Sequence, residues 1–158
     1  MKNFFKCLLF TLTIVLSLGF ITGCTTSSKN KTYTLGDTFE FDDLKITLGT
    51  NLVYTTMNDK YSDYYKKTVI KIPVTVENLK DESHGLNMFY YNFFGSNGTE
   101  INEISIYYEN DGIDNAGDLR KGASYTKYFY VIYDGDGTYA LELENWVEKI
   151  TVEFEVKK

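Results

Sequence analysis

Apolar and polar residues alternate along most of the chain after residue 33, and this period of two predicts β-strands. The clearest alternation covers residues 44–48, 69–77 and 149–156, where every second side chain is aliphatic or aromatic. Further strands are predicted at residues 52–56, 86–94, 100–108, 124–133 and 138–143. Short strands with frequent turns and no convincing helical period favour two packed sheets, so we expect an all-β antiparallel sandwich.

Three details of this pattern predict how the strands connect and pair. Residues 96–99 contain Asn-Gly, which accepts positive φ and predicts a hairpin turn. Residues 134–137 read Asp-Gly-Asp-Gly, and we expect the strands on either side to pair as a second hairpin. Pro73 cannot donate a ladder hydrogen bond, so its strand should lie at a sheet edge or be bulged there.

Residues 1–23 follow a different pattern. Lys2 and Lys6 precede an apolar run of about 15 residues. The run is short for a bilayer-spanning helix, which needs about 20 residues, and together with its charged start it predicts an export signal. The signal ends in Ile21, Thr22, Gly23 and Cys24, which looks like a lipobox. We therefore expect lipidation of Cys24; an uncleaved anchor helix and ordinary cleavage without lipid are the alternatives.

The resemblance to bacterial lipoproteins implies a diacylglyceryl thioether, with palmitate-type chains, on Cys24 at the extracytoplasmic face of the cell membrane. Two or more acyl chains anchor a protein stably where one does not. Residues 24–33 would then be the lipidated cysteine and a short polar, flexible tether, and residues 34–158 the folded domain. Cys7 is the other cysteine and lies in the signal, so the mature protein has no disulfide available.

Charge narrows the classes of partner. The chain carries a net charge of −6, and every acidic residue lies after residue 36. Removing Lys2 and Lys6 with the signal leaves 14 basic and 22 acidic residues, a net charge of −8. Nucleic acids and anionic lipids attract basic footprints, so we expect no nucleic-acid partner and no electrostatic membrane docking.

Three features of the domain, in this order, carry a family resemblance. The first is a Gly-x-x-Phe at 36–39 followed by Asp-Leu-x-Ile at 43–46. The second is an alternating aliphatic strand ending in Glu-Asn at 77–78, then an aromatic strand ending in Asn-Gly at 97–98. The third is Leu-Arg-Lys-Gly at 119–122 before a tyrosine-rich strand. They resemble a group of Gram-positive lipoprotein domains with a telokin-like, immunoglobulin-like sandwich. Lys121 departs from that pattern, where a proline is frequent. The resemblance implies a secreted or surface binding module and brings no catalytic residues.

Candidate catalytic and metal-ligating groups are sparse. His84 is the only histidine, and we interpret it as a solvated turn residue rather than a general base, because no second catalytic partner is identifiable. No Gly-x-Ser-x-Gly elbow and no Cys/His cluster is present. Calcium at Asp134 and Asp136, or at the acidic residues of 110–118, stays an alternative to plain turn chemistry. We expect no catalysis, cofactor or metal.

Tyrosines and phenylalanines are the more informative signal. The predicted strands 86–94 and 124–133 are apolar on both faces, so one face of each needs cover beyond the core. We expect Tyr128, Tyr130, Tyr91 and Phe93 to form an exposed binding face. The alternative is that two long loops, the tyrosine-rich residues 57–68 and the acidic residues 109–121, fold over it.

These features favour a lipid-anchored, extracytoplasmic binding module of the bacterial cell surface, with a protein or glycan of the cell envelope as its partner. The alternative is a stoichiometric inhibitor or shielding protein that acts on a hydrolase or a host factor. A hydrolase is a third possibility and would require an acid-lined cleft with perturbed pKa values.

Overall fold

The computed structural model describes residues 31–101 and 110–158, which fold into two packed β-sheets. The strands are β1 (Lys31–Tyr33), β2 (Thr38–Phe41), β3 (Leu44–Leu48), β4 (Val53–Thr56), β5 (Thr68–Asn78), β6 (Tyr91–Phe94), β7 (Glu100–Ile101), β8 (Ser124–Ile132), β9 (Gly137–Glu144) and β10 (Lys149–Val156). Single 3₁₀ turns lie at Met88–Tyr90 and Ile113–Asn115. The predicted all-β sandwich is confirmed.

The strands divide between two sheets of five. Sheet I has the order β1-β10-β9-β6-β7. Sheet II has the order β2-β3-β5-β4, and β8 pairs with the other side of β5. Neighbouring strands are antiparallel except for β1, which runs parallel to β10 with Lys31 opposite Ile150. The sandwich is therefore antiparallel with one parallel edge strand.

The alternation of the sequence becomes the core between the sheets. Ile70, Ile72, Val74 and Val76 of β5 are fully buried. They meet inward-facing residues of sheet I, which are Tyr91, Phe93, Tyr139, Leu141, Leu143, Ile150, Val152, Phe154 and Val156. Burying one such aliphatic or aromatic side chain stabilises the fold by roughly 1.5–3 kcal/mol.

The prediction that Pro73 marks an edge strand is wrong, because β5 is paired along both sides. On one side β8 pairs with residues 69–77, and on the other β3 and β4 pair with the two ends of β5. Pro73 lies between the β3 and β4 pairings, where its carbonyl accepts a hydrogen bond from the Gly49 N–H at 2.7 Å. Its nitrogen faces the same gap, so the missing donor interrupts no ladder.

Close packing at this gap requires the glycine. A Cβ atom on Gly49 would lie 3.0 Å from the Cβ of Pro73, closer than two carbon atoms normally approach. Gly49 therefore lets the chain pass over the proline ring and turn from β3 towards β4.

The predicted hairpin around residues 134–137 is also wrong. β8 pairs with β5 in sheet II, whereas β9 pairs with β10 and β6 in sheet I. The turn is a crossover between sheets, held by the Tyr139 hydroxyl, which donates to Asp134 Oδ1 at 2.5 Å. A local turn signal specifies the bend, but long-range pairing decides which strand each arm meets.

The Asn-Gly turn is confirmed, but the strand before it is shorter than predicted. Gly98 has a φ of +75°, and Phe93 pairs with Ile101 across the hairpin. Of predicted strand 86–94 only the second half is a strand, because Asn87 Oδ1 accepts from the Phe89 N–H and starts a 3₁₀ turn. Of predicted strand 100–108, residues 102–108 lie outside the described residues.

The folded domain begins three residues before its predicted boundary. Lys31–Tyr33, predicted as the end of the tether, form β1, and the Tyr33 ring packs 4.9 Å from that of Phe39. The predicted signal, lipobox and Cys24 lie outside the described residues.

Asn78, at the end of β5, should be essential for stability. It is fully buried; Nδ2 donates to the carbonyls of Glu82 and Leu119 at 2.7 Å each, and Oδ1 accepts from the Lys80 N–H at 2.8 Å. Asn78→Ala removes three hydrogen bonds and should lower the free energy of unfolding by about 2–4 kcal/mol.

Urea denaturation measures this loss. The control Asn51→Ala changes an exposed asparagine and should stay within about 0.5 kcal/mol of the wild type. Equal stability of the two variants would contradict the role assigned to Asn78.

Candidate functional site

The outer face of sheet II carries Tyr128 and Tyr130, two of the four residues predicted to bind a partner. In β8, Phe129 and Val131 point into the core, so Tyr130 points outward. Tyr130 is nevertheless only 2% exposed, because it packs in a second apolar cluster with Met57 and Val69. The alternative prediction, that a loop folds over this face, therefore holds at Tyr130.

Tyr91 and Phe93 lie elsewhere, and their assignment to the same exposed face is wrong. Both belong to β6 of sheet I and are buried in the core. Each makes an edge-to-face contact with Phe129 at a ring-centroid distance of 5.1 Å. The sequence shows that the predicted strand 86–94 is apolar on both faces, and it does not say which face turns inward.

Lys71, on the outer face of sheet II, contacts Tyr128, Tyr130 and one carboxylate. Its Nζ lies 2.9 Å from Asp111 Oδ2, and it sits over the rings of Tyr128 and Tyr130 at 4.6 Å and 4.9 Å from their centroids. The Tyr130 hydroxyl donates to the other carboxylate oxygen of Asp111. A cation held over two aromatic faces beside a carboxylate is electrostatically satisfied.

This cluster fixes the segment 110–116 beside β8, at the edge of sheet II. The Tyr128 N–H donates to the Asp111 carbonyl at 2.9 Å, and Ile113 is buried against the core. Burial opposes ionisation of Asp111, but the hydrogen bonds from Tyr130 and Lys71 and the lysine charge outweigh it, so the pKa of Asp111 lies below its ordinary value. The second long loop thus borders this face and reaches onto it with the Asp111 side chain.

The loop of residues 57–67, here called the tyrosine loop, presents aromatic side chains that the sheet does not. It continues the β4–β5 ladder, since the Met57 N–H donates to the Lys67 carbonyl at 3.0 Å and the Lys66 N–H donates to the Met57 carbonyl at 2.8 Å. Buried Met57 and partly buried Tyr64 pack beneath it. The loop is therefore attached to the sheet by its own side chains.

Tyr61 and Tyr65 project from this loop into solvent, with exposed fractions of 83% and 43%. Lys60 Nζ lies 5.0 Å from the Tyr61 ring centroid, and Lys66 Nζ lies 5.3 Å from that of Tyr65. The sequence predicts a tyrosine-rich loop here, but the predicted binding face lay on the strands and did not include Tyr61 or Tyr65. The density of tyrosines in a polar segment was the usable signal.

His84 connects a loop to a turn and is not the solvated turn residue we expected. Its Nε2 lies 2.8 Å from the Asp42 carbonyl and 3.1 Å from Asp42 Oδ2, and its side chain is largely buried. Its main chain exchanges hydrogen bonds with Leu119. The imidazole thus holds segment 79–85 against the β2–β3 turn.

Asp134 and Asp136, considered as calcium ligands, accept hydrogen bonds from tyrosine hydroxyls and from backbone N–H groups of two other segments. Asp134 Oδ1 accepts from the Tyr139 hydroxyl and the Ser96 N–H. Asp136 Oδ1 accepts from the Tyr133 hydroxyl at 2.6 Å and the Lys158 N–H at 3.0 Å. Within residues 31–101 and 110–158, no three His, Cys, Asp or Glu side chains gather as a metal site requires.

Several solved structures share this fold. A "putative lipoprotein" from Bacillus subtilis has a TM-score of 0.60 and 15% sequence identity. The match covers 77% of this chain and 39% of the Bacillus protein, so this chain spans less than half the length of that protein. A second "putative lipoprotein", from Staphylococcus aureus, has a TM-score of 0.58 and 18% identity, covering 77% of this chain and 88% of the other. A secreted protein from Mycobacterium tuberculosis has a TM-score of 0.59 and 18% identity, covering 82% and 100%.

Identities this low establish the sandwich fold alone. No protein-family model and no curated protein matches the sequence. The telokin-like family therefore stays a prediction. We find no helix with the length and hydrophobicity of a membrane span in the described part of the chain.

Loss of the Asp111 carboxylate should change how stability depends on pH. Because its pKa is lowered by folding, ionised Asp111 stabilises the protein above the ordinary value of 3.8, and this contribution is lost as the pH falls through the lower folded value. Asp111→Asn should cost about 1 kcal/mol at pH 7, since the carboxylate is 40% exposed.

The difference between variant and wild type should therefore shrink on acidification. Urea unfolding between pH 7 and pH 3 measures it, with Asp118→Asn, an exposed acid of the same segment, as the control for general loss of a negative charge. A difference that stays constant with pH would contradict the stabilising role of the ionised carboxylate.

Proposed function

We propose that this protein is a lipid-anchored, extracytoplasmic binding module that acts through contact rather than catalysis. The lipobox at 21–24 supports the anchor, and the likeness to lipoproteins and a secreted protein is consistent with work outside the cytoplasm. Strand β1 begins at Lys31, seven residues after Cys24. Seven residues reach at most about 25 Å, so the sandwich would stand directly above the membrane.

The tyrosine loop is the surface we propose for partner binding, and the exposure of Tyr61 and Tyr65 on a fixed loop is the observation that carries the proposal. A tyrosine combines a large apolar ring with a hydroxyl, which suits it to wet protein and glycan interfaces. Because Met57 and Tyr64 already hold the loop, binding would lose little conformational entropy. Lys60 and Lys66 add positive charge in an acidic protein, which favours an anionic or hydroxyl-rich partner.

The loop lies at the end of the sandwich away from Lys31, the first described residue, which pairs with Ile150 at the start of β10. The turn of residues 145–148 is at the same end as the β2–β3 turn, since Glu148 Oε1 accepts from the Asp42 N–H at 3.1 Å. Leu44 pairs with Asn78, so this end is also the end of β5. The tyrosine loop precedes β5 and therefore lies at the opposite end, facing away from an anchored N-terminus.

The anchor is tested by Cys24→Ala in the full chain expressed in a Gram-positive host. We expect the wild type in the membrane fraction with a diacylglyceryl group on Cys24 by mass spectrometry, and the variant in the medium or with its signal uncleaved. A wild-type protein with an unmodified Cys24 would refute the anchor.

The binding surface is tested by Tyr61→Ser combined with Tyr65→Ser. We expect the detergent-solubilised wild type to be retained by Gram-positive envelope material and the double variant to lose most of that retention, because the exposed rings are removed while Met57 and Tyr64 still fix the loop.

The retention material is cell wall freed of lipid, and Phe89→Ser is the matched control, since it removes an exposed aromatic ring at the other end of the sandwich and should leave retention on the lipid-free wall unchanged. Equal retention of the double variant and the wild type, with unchanged unfolding curves, would show that the partner binds elsewhere.

A further inference from the structure

Four large apolar side chains are exposed in two short segments of sheet I. They are Met88, Phe89, Trp146 and Val147, here called the apolar tip. Trp146 is 98% exposed and Phe89 is 84% exposed. Scattered apolar residues are normal on a protein surface, but several exposed together on neighbouring segments mark a contact site.

Strand register places both segments at one end of the sheet. β6 and β9 are antiparallel, with Tyr91 opposite Leu143. Residues 88–89 lie just before β6 begins, and residues 146–147 lie just after β9 ends. Because the strands run in opposite directions, the two segments extend from the same end of sheet I.

Both segments are held in fixed turns. Asn145 Oδ1 accepts from the N–H groups of Val147 and Glu148 at 2.9 Å each, and the Asn145 N–H donates to the Glu148 carbonyl. Asn87 Oδ1 accepts from the Phe89 N–H at 3.0 Å. The exposure of these side chains is therefore set by the local hydrogen bonding of the fold.

Lys31, the first described residue, lies at this end. β1 is parallel to β10 with Lys31 opposite Ile150, and β10 begins just after the turn that carries Trp146. Lys31 follows Cys24 by seven positions, a reach of at most about 25 Å. An acyl chain on Cys24 would therefore hold this end of the sandwich close to the bilayer.

We infer that the apolar tip inserts into the interfacial layer of the bilayer that holds the acyl chains of Cys24, an inference that rests on the lipid anchor proposed above. Tryptophan and phenylalanine favour the boundary between headgroups and acyl chains. Two nearby acids are paired with lysines, since Asp81 lies 2.5 Å from Lys121 and Glu144 lies 3.6 Å from Lys149. Glu148 Oε1, in the same turn as Trp146, accepts from the Asp42 N–H at 3.1 Å. The contact is apolar, so it does not require the basic cluster that the chain lacks.

Trp146 is the only tryptophan of the chain, so its fluorescence reports the tip alone. The lipidated full-length product is purified and reconstituted into phosphatidylcholine vesicles with and without brominated acyl chains. We expect a blue-shifted emission that loses most of its intensity in the brominated vesicles, and that keeps this loss at high salt because the contact is apolar.

The matched control moves the probe to the other end of the sandwich, as Trp146→Phe with Tyr61→Trp. Its emission should stay red-shifted and unquenched, since the tyrosine loop faces away from the membrane. Quenching of Trp146 no stronger than that of this control overturns the inference. A blue shift without bromine quenching also overturns it, because a second copy or another protein would then cover the tip.

The lipid anchor and the insertion of the apolar tip are refuted by different measurements. A missing lipid mass on Cys24 refutes the anchor before any fluorescence is recorded. A lipidated protein with an unquenched Trp146 refutes insertion of the tip and leaves the anchor intact.

Discussion

Strand β5 is the constraint on which the rest of the sandwich depends. It pairs with β8 along one side and with β3 and β4 along the other, so three strands take their register from it. Its even-numbered residues fill the core, and on its outer face Val69 and Lys71 hold the two long loops. At its end, Asn78 binds the backbone of two further loops. A shift of one residue would exchange these faces and lose every one of these contacts.

Local chemistry explains what could be predicted from the sequence. Strands β3 and β10 have the predicted bounds, because strict alternation and flanking turns define both ends. The pairing of strands was harder, since the same Asp-Gly-Asp-Gly turn serves a hairpin or a crossover. Pro73 was misplaced for a related reason: β5 meets two short partners in succession, and the proline lies at the gap between them. Such a gap is a property of the whole sheet and leaves no local signal.

The predicted binding face on the strands differs from the aromatic surface that is exposed in the structure, because the tyrosines of the strands are largely buried. Tyr130 and Lys71 satisfy one another and the Asp111 carboxylate, so these groups hold a loop in place. The exposed rings, those of Tyr61 and Tyr65, lie instead on the tyrosine loop, which covers Tyr130. Alternation could identify strands that are apolar on both faces, but it could not distinguish a face covered by the chain itself from one left for a partner. That distinction depends on Met57 and Tyr64, whose packing joins positions distant in sequence.

The parallel pairing of β1 with β10 has a mechanical consequence. A chain held at its N-terminus and pulled through the tyrosine loop would feel force along the strand axis, with β1 drawn one way and the body of the sandwich the other. That geometry loads the bonds between Lys31–Tyr33 and β10 together, in shear, rather than unzipping them one at a time. A short edge strand is thereby placed where a tensile load between the N-terminal side and the tyrosine loop would enter the domain.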